Sequence, residues 1–265
     1  MPDTEKPPLA ILHVERIRDL EGWRQLESEW NALLIDSAAD GIFLTWEWLD
    51  TWLEVYGDGG EWVILTARNQ EGRLLGVAPM MQDRGSGKVG RWLRRLLLMG
   101  QKADTASEYL DWILRTGFES IVVESFCAFI FSDQISSWDI LEFTSMRADA
   151  PSIPLIKSEF EKRGVVVRVN HTAASPYMSL PETWEAFLGG QRAKFRQRWN
   201  KFHREHRVVV KVSGKDMTVS EGMALIRQLN ESRWGARRQS FLTDRYRRFH
   251  ERVAVRLHER GHLMM

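Results

Sequence analysis

Residues 43–68 read FLTWEWLDTWLEVYGDGGEWVILTAR, and two periodicities meet inside that run. Up to Tyr56 the apolar side chains recur three and four apart, with Trp48, Trp52 and Val55 on one face, as an amphipathic helix requires. Thr45 stands just before it, where a hydroxyl can cap the free backbone amides. The segment GDGG at 57–60 interrupts the helix. Residues 61–67 are then an apolar run, and residues 73–81 are another after Asn69-Gln70-Glu71-Gly72. Two such runs joined by turn residues predict a β-hairpin.

Working outward, residues 10–18 have strand character. Residues 20–35 carry Trp23, Leu26, Trp30, Leu33 and Leu34 at helical spacing. Residues 85–90 read as a turn and 92–99 as a third strand of a meander. Beyond it the chain alternates. A buried helix is expected over 116–131, a strand over 138–143, and a helix from Pro151 and Pro154 to about Arg163. A short strand is expected over 165–169, an extended stretch over 176–180, and a short helix over 184–188. A basic helix follows over 191–206, then a strand over 207–212. Thr218 and Glu221 have capping-box spacing ahead of a helix to about Gly235. A second basic helix spans 241–259 and is closed by Gly261, and residues 262–265 would open a further strand. The pattern is that of an α/β (α+β) protein with a mixed sheet flanked by helices.

The chain has 265 residues, 43% hydrophobic and 28% charged, which excludes a disordered or collagen-like polymer. Its one cysteine, Cys127, excludes an internal disulfide and a cysteine-rich zinc site. Its neighbours in FCAFIF mark it as a buried, inert thiol. No apolar run approaches the roughly 20 residues of a membrane span. The opening MPDTEKPPLA lacks the order of a secretory signal, so a cytoplasmic protein is expected.

The net charge of +1 hides a polarity. Residues 190–265 hold 19 Lys and Arg against 7 Asp and Glu, and residues 1–189 hold 18 against 29. Either two helices have basic solvated faces, or the basic region docks electrostatically on the acidic one. Gly189–Gly190 marks the boundary between a domain over 1–189 and a basic, mainly helical unit over 190–265.

Several motifs carry possible chemistry. GSGKVG at 85–90 matches G-x-G-x-x-G, but a strand rather than a helix is expected after it, so it reads as a hairpin. HERGH at 258–262 matches H-E-x-x-H, but Gly261 would end the helix before His262, and no metal is expected. Asp104, Glu108 and Asp111 surround Tyr109 in a polar stretch. A carboxylate there with a raised pKa could serve as a general base. Residues 191–211, QRAKFRQRWNKFHREHRVVVK, put Phe195, Trp199, Phe202 and His206 on one stripe among cations. Arg192, Lys194, Arg196 and Arg198 are the candidates for holding an anionic ligand. The alternative is nucleic-acid binding, with the rings as a stacking surface, or a non-catalytic interaction module that uses this basic half.

The order of segments resembles a family. FLTWEWLDTWLEVYGDGGEWVILTAR, GRLLGVAPM at 72–80, SEYLDWI at 107–113 and SSWDILEF at 136–143 look like the CelD/BcsL-type acetyltransferases of the GNAT superfamily. Residues 176–205, PYMSLPETWEAFLGGQRAKFRQRWNKFHRE, are similar to that family's junction, and residues 233–263 to the helical segment after it. The resemblance implies two GNAT-like units in tandem, as in the Fem-type ligases, the second incomplete here and truncated after its opening helices. It implies transfer of an acyl group from acetyl-CoA or another acyl-CoA to an amine or hydroxyl. The acceptor would be a small molecule or glycan precursor, with a link to cellulose or exopolysaccharide production. Without the second sheet, Leu225, Leu229, Phe249, Val253 and Leu257 are expected to expose an apolar patch that promotes self-association, and the acyl-CoA-binding part would be missing.

Overall fold

The computed structural model describes residues 12–84, 93–102, 105, 107–135, 137–176, 178–191, 193–206, 209–235 and 243–263. Strand β1 (His13–Ile17) leads through the short helix α1 (Leu20–Gln25) into α2 (Glu27–Ile35). The single helix expected over 20–35 is therefore two, jointed at Leu26. Helix α3 (Trp46–Tyr56) starts where Thr45 Oγ1 accepts a bond from the Trp48 amide. Strands β2 (Glu61–Arg68) and β3 (Leu74–Arg84) form the expected hairpin, closed by Asn69 Oδ1 accepting from the Arg73 amide. Then come β4 (Arg94–Leu98), the two-residue β5 (Ile113–Leu114), α4 (Glu119–Ile130), β6 (Ile140–Glu142) and α5 (Ser152–Lys162). The chain continues with α6 (Trp184–Gly190), α7 (Ala193–Glu205), α8 (Val219–Trp234) and α9 (Asp244–Glu259).

Among the described residues the strands form one mixed sheet in the order β1-β2-β3-β4-β6, with β5 beside β3. The pairs β1–β2, β2–β3, β3–β4 and β3–β5 are antiparallel, whereas β4 and β6 run parallel. A parallel pair needs a crossover, and α4 supplies it. In β2 the five consecutive residues Val63, Ile64, Leu65, Thr66 and Ala67 are all buried. Unbroken burial instead of alternation means that both faces of the sheet are covered there.

Three tryptophans knit the first helices. Trp23 stacks on Trp46 at 4.5 Å between centroids, and Trp30 meets both edge-on at 5.2 and 5.6 Å. The Trp30 indole donates to Leu44 O and the Trp23 indole to Asp50, so two buried N–H groups are satisfied.

Helix α9 lies antiparallel on α3. Phe249, Val253 and Leu257 are buried, Phe249 against the edge of Trp48 at 4.9 Å. Around this stripe Arg245, Arg252, Arg256 and Arg260 pair with Asp58, Glu54, Asp50 and Glu47. The predicted patch is thus corrected for its α9 members, because α3 covers them. Leu225 and Leu229 of α8 are exposed, as is Ile226 beside them.

Two expected strands are absent. Residues 165–169 and 209–212 form no ladder, and Val166, Val209 and Val210 are largely exposed. β-Branched residues favour extended backbone, but a strand exists only where a neighbour supplies the hydrogen bonds. Residues 262–263 form no strand either. Arg207 and Val208 lie outside the described residues. So do Gly85–Gly90 of the glycine motif.

Candidate functional site

The site begins with a proline in the middle of β3. β4 and β5 lie on the same side of β3 and run in the same direction, so they occupy one track. Met80 pairs with Leu98, and Val77 pairs with Ile113. Between the two pairings the described residues 100–102, 105 and 107–112 lie off the sheet. Pro79 stands at the break. Its carbonyl accepts from the Met99 amide at 2.9 Å, so its nitrogen faces the same track. That nitrogen carries no hydrogen, and the ladder cannot continue through it.

The detour is tied to the end of β6. Gln101 Oε1 accepts from the amides of Leu98 at 3.4 Å and Thr144 at 3.0 Å, which clips the carboxyl ends of β4 and β6 together. The Leu110 amide donates to Ser145 O at 3.1 Å. Tyr109 and Ser145, which flank that bond, have φ of 55° and 60°. Each non-glycine residue in this region costs of order 1 kcal/mol, and such conformations gather at functional sites. β4 is antiparallel to β3 and parallel to β6, so the sheet changes sense at the strand from which the detour departs.

Polar side chains are buried inside the detour. Thr105, Ser107 and Asp111 are each less than a tenth exposed. Ser107 Oγ accepts from the Trp48 indole at 3.0 Å and lies 3.2 Å from Thr105 Oγ1. Asp111 Oδ1 accepts from the Trp112 amide at 2.7 Å, and Oδ2 from the hydroxyl of Ser152, the first residue of α5, at 2.8 Å. Burial pushes the Asp111 carboxyl up to about 6, against the pull of those two hydrogen bonds.

The three carboxylates expected to cluster do not share one environment. Asp111 is buried and Glu108 is exposed, while Asp104 lies outside the described residues. Of the four expected anion-binding cations, Arg192 lies outside the described residues, and Lys194, Arg196 and Arg198 are exposed on α7. Arg196 Nη1 donates to the carbonyls of Gly189 and Gln191 at 3.1 and 2.7 Å. No hydrogen bond, ion pair or ring contact among the described residues joins these cations to the Asp111 loop.

The H-E-x-x-H pattern is dismantled by its glycine. Gly261 has φ of 75°, the His262 amide bonds Leu257 O at 2.8 Å and the Gly261 amide bonds His258 O, so α9 ends in a left-handed cap. His262 lies beyond that cap, off the helix. No group of three or more His, Cys, Asp or Glu placed to hold a metal exists among the described residues. Cys127 is buried, and burial pushes its thiol up to about 12.

Ser152, Thr105, Ser107 and Gln101 were not legible as site residues. The sequence signal for the detour itself was Pro79 inside an otherwise regular strand. No family model, curated protein or solved structure matches this chain.

A cleft of about 430 Å³ opens between the end of β1, the start of α1 and the start of β2, and Arg16, Arg18, Asp19 and Trp62 line it. Arg16 Nη2 is already engaged by Glu61 at 2.6 Å and by Trp62 O at 2.5 Å.

Proposed function

We propose that the chain is an acyl-CoA-dependent N- or O-acyltransferase of the GNAT-like, CelD/BcsL type, impaired in donor binding because the resemblance places the main acyl-CoA-binding part outside it. One observation carries this reading. A strand, three helices and an antiparallel meander are followed by α4, which crosses over to set β6 parallel to β4. The sequence segments that resemble the family supply α3, β2, most of β3, the start of β5 and β6 in this order.

In the reaction the acceptor nitrogen or oxygen attacks the thioester carbonyl. The C–S bond breaks, the coenzyme A thiolate leaves, and the acceptor proton passes to a base. Asp111 and Ser152 are both shielded from solvent, so they position the loop instead of touching an acceptor. Among the described residues of the same loop Glu108 is the exposed carboxylate and the one an acceptor can reach. Lys194, Arg196 and Arg198 are exposed cations available to the donor phosphates.

Equilibrium dialysis with acetyl-CoA, together with thiol release in the presence of amine and sugar acceptors, tests the reading. Donor binding is expected, with Glu108→Gln lowering turnover and leaving donor binding intact. Absence of donor binding up to about 1 mM, the upper end of ordinary KM values, overturns it.

A second reading is a non-catalytic interaction module. It is favoured by α6 and α7, neither of which has a buried residue. A chain that binds no acyl-CoA yet captures a partner through α7 would be such a module.

A further inference from the structure

Helix α6 ends at Gly190, α7 begins at Ala193, and the two meet through their rings. Trp184 stacks on Phe187 at 5.2 Å and meets Trp199 edge-on at 5.2 Å, and Phe187 reaches Phe195 at 6.3 Å. On α7, Phe195, Trp199 and Phe202 follow at i, i+4 and i+7, which is one stripe. The ring cluster remains open to solvent. Trp184 is 48% exposed, Phe195 40% and Phe202 48%. The rest of α7 is cationic, with Lys194, Arg196, Arg198, Lys201 and Arg204 against the single carboxylate Glu205. On a wheel of 100° per residue, Arg198 and Lys194 flank one border of the stripe and Arg196 the other. Only Lys201 has an ion-pair partner among the described residues, Glu205 at 3.9 Å.

We propose that the α6–α7 hairpin is a docking surface for an anionic lipid bilayer, with the ring stripe sunk into the interface and the flanking cations on lipid phosphates. A helix of low net hydrophobicity, with rings on one side and Lys and Arg on the others, meets the requirements for lying in a membrane interface. The long stems of Lys194, Arg196 and Arg198 let the rings sink while the charges stay at headgroup level. Trp184, Phe187, Phe195 and Trp199 touch in one cluster, and Phe202 joins it through His203, so the rings can enter a bilayer interface as one surface. A second copy of the chain is disfavoured because it would bring two cationic helices together. The acidic face of α3 is already engaged by α9.

The test is co-sedimentation of the full chain with phosphatidylcholine vesicles, with and without phosphatidylglycerol. Binding to the anionic vesicles alone is expected. Each cation near such a surface contributes about fivefold, so Lys194→Gln with Arg198→Gln should weaken binding about 25-fold. Phe195→Ser with Phe202→Ser, all charges kept, should weaken it about tenfold. On the unaltered chain, anionic vesicles should slow hydrogen exchange at the α7 amides. Several results overturn the proposal: equal binding to neutral vesicles, no vesicle binding, unchanged affinity in a folded ring variant, or α7 amides left unprotected. Salt-sensitive binding of a single-stranded oligonucleotide by a chain that ignores vesicles would assign the surface to nucleic acid instead.

Discussion

Arg256 Nη2 lies 2.7 Å from Asp50 Oδ2, and the other oxygen of the same carboxylate accepts from the Trp23 indole at 2.6 Å. Arg256 also donates to Thr51 Oγ1 at 3.0 Å. A residue near the end of the described chain is thereby tied, through one carboxylate, to the tryptophan cluster of the first helices. Asp50 and Arg256 are 17% and 28% exposed, so this is the part-buried rung of the α3–α9 ladder.

Removing one member of that rung should therefore be costly. Asp50→Ala strands the Trp23 indole and the Arg256 guanidinium, and about 3 kcal/mol of stability should be lost. A double-mutant cycle of Asp50→Asn with Arg256→Gln should give a coupling of about 1–2 kcal/mol in urea unfolding. The same cycle on Glu54 and Arg252, which are about half exposed, should give no more than about 0.5 kcal/mol. Equal couplings for the two rungs would contradict this.

Helix α9 belongs to the core, and α7 does not. Phe249→Ala should cost about 3–5 kcal/mol and lower the unfolding midpoint of the whole sheet, since Trp48 loses its edge partner. In native-state hydrogen exchange the α9 amides should be as slow as those of α3, and the α7 amides should exchange through local opening. Fast exchange in α9 alongside a slow α3 would mean that the two helices do not unfold together.

Asp111 should make stability fall as pH rises. Its carboxyl ionises near 6 in the folded protein and near 3.8 when unfolded, so the folded state holds the proton more tightly. Stability from the protonated form is complete below 3.8 and is lost as pH passes through 6, by about 3 kcal/mol. Asp111→Asn should flatten this window, giving a higher Tm than the parent at pH 7 and a similar one near pH 4. An unchanged pH profile would remove Asp111 as the cause.

Gly214 sits under the ring of His258. It has φ of 85°, and a Cβ built there would come within 2.0 Å of the imidazole. Gly214→Ala should lower Tm through both the clash and the backbone conformation. Adding His258→Ala should relieve only the clash. Full recovery in the double variant would mean that the backbone conformation costs nothing.

What could be read from the sequence was the chemistry that acts over a few residues. Thr218 and Glu221 form the reciprocal capping box their spacing suggested, and Thr45 caps α3 as its position suggested. Residues 165–169 and 209–212 misled because a valine run specifies an extended backbone and not a neighbour. β5 escaped notice because two residues carry no periodicity, and only their place beside Gly76 and Val77 makes them a strand. The charge polarity left two readings open. The ladder realises electrostatic docking for α9, while the exposed face of α7 realises the solvated one. Arg252, Arg256 and Arg260 repeat every four residues, and their partners Glu54, Asp50 and Glu47 recur four and three apart on α3. That matching rhythm was the unused clue. The buried partners of Asp111 gave no such clue, because Ser152 meets it only once α5 is in place.

Pro79 leaves β3 with a gap that no longer or shorter neighbour can close. The described residues that fill it are held from three sides, by Trp48 of α3, Thr144 after β6 and Ser152 of α5, so a break in the ladder has become part of the core.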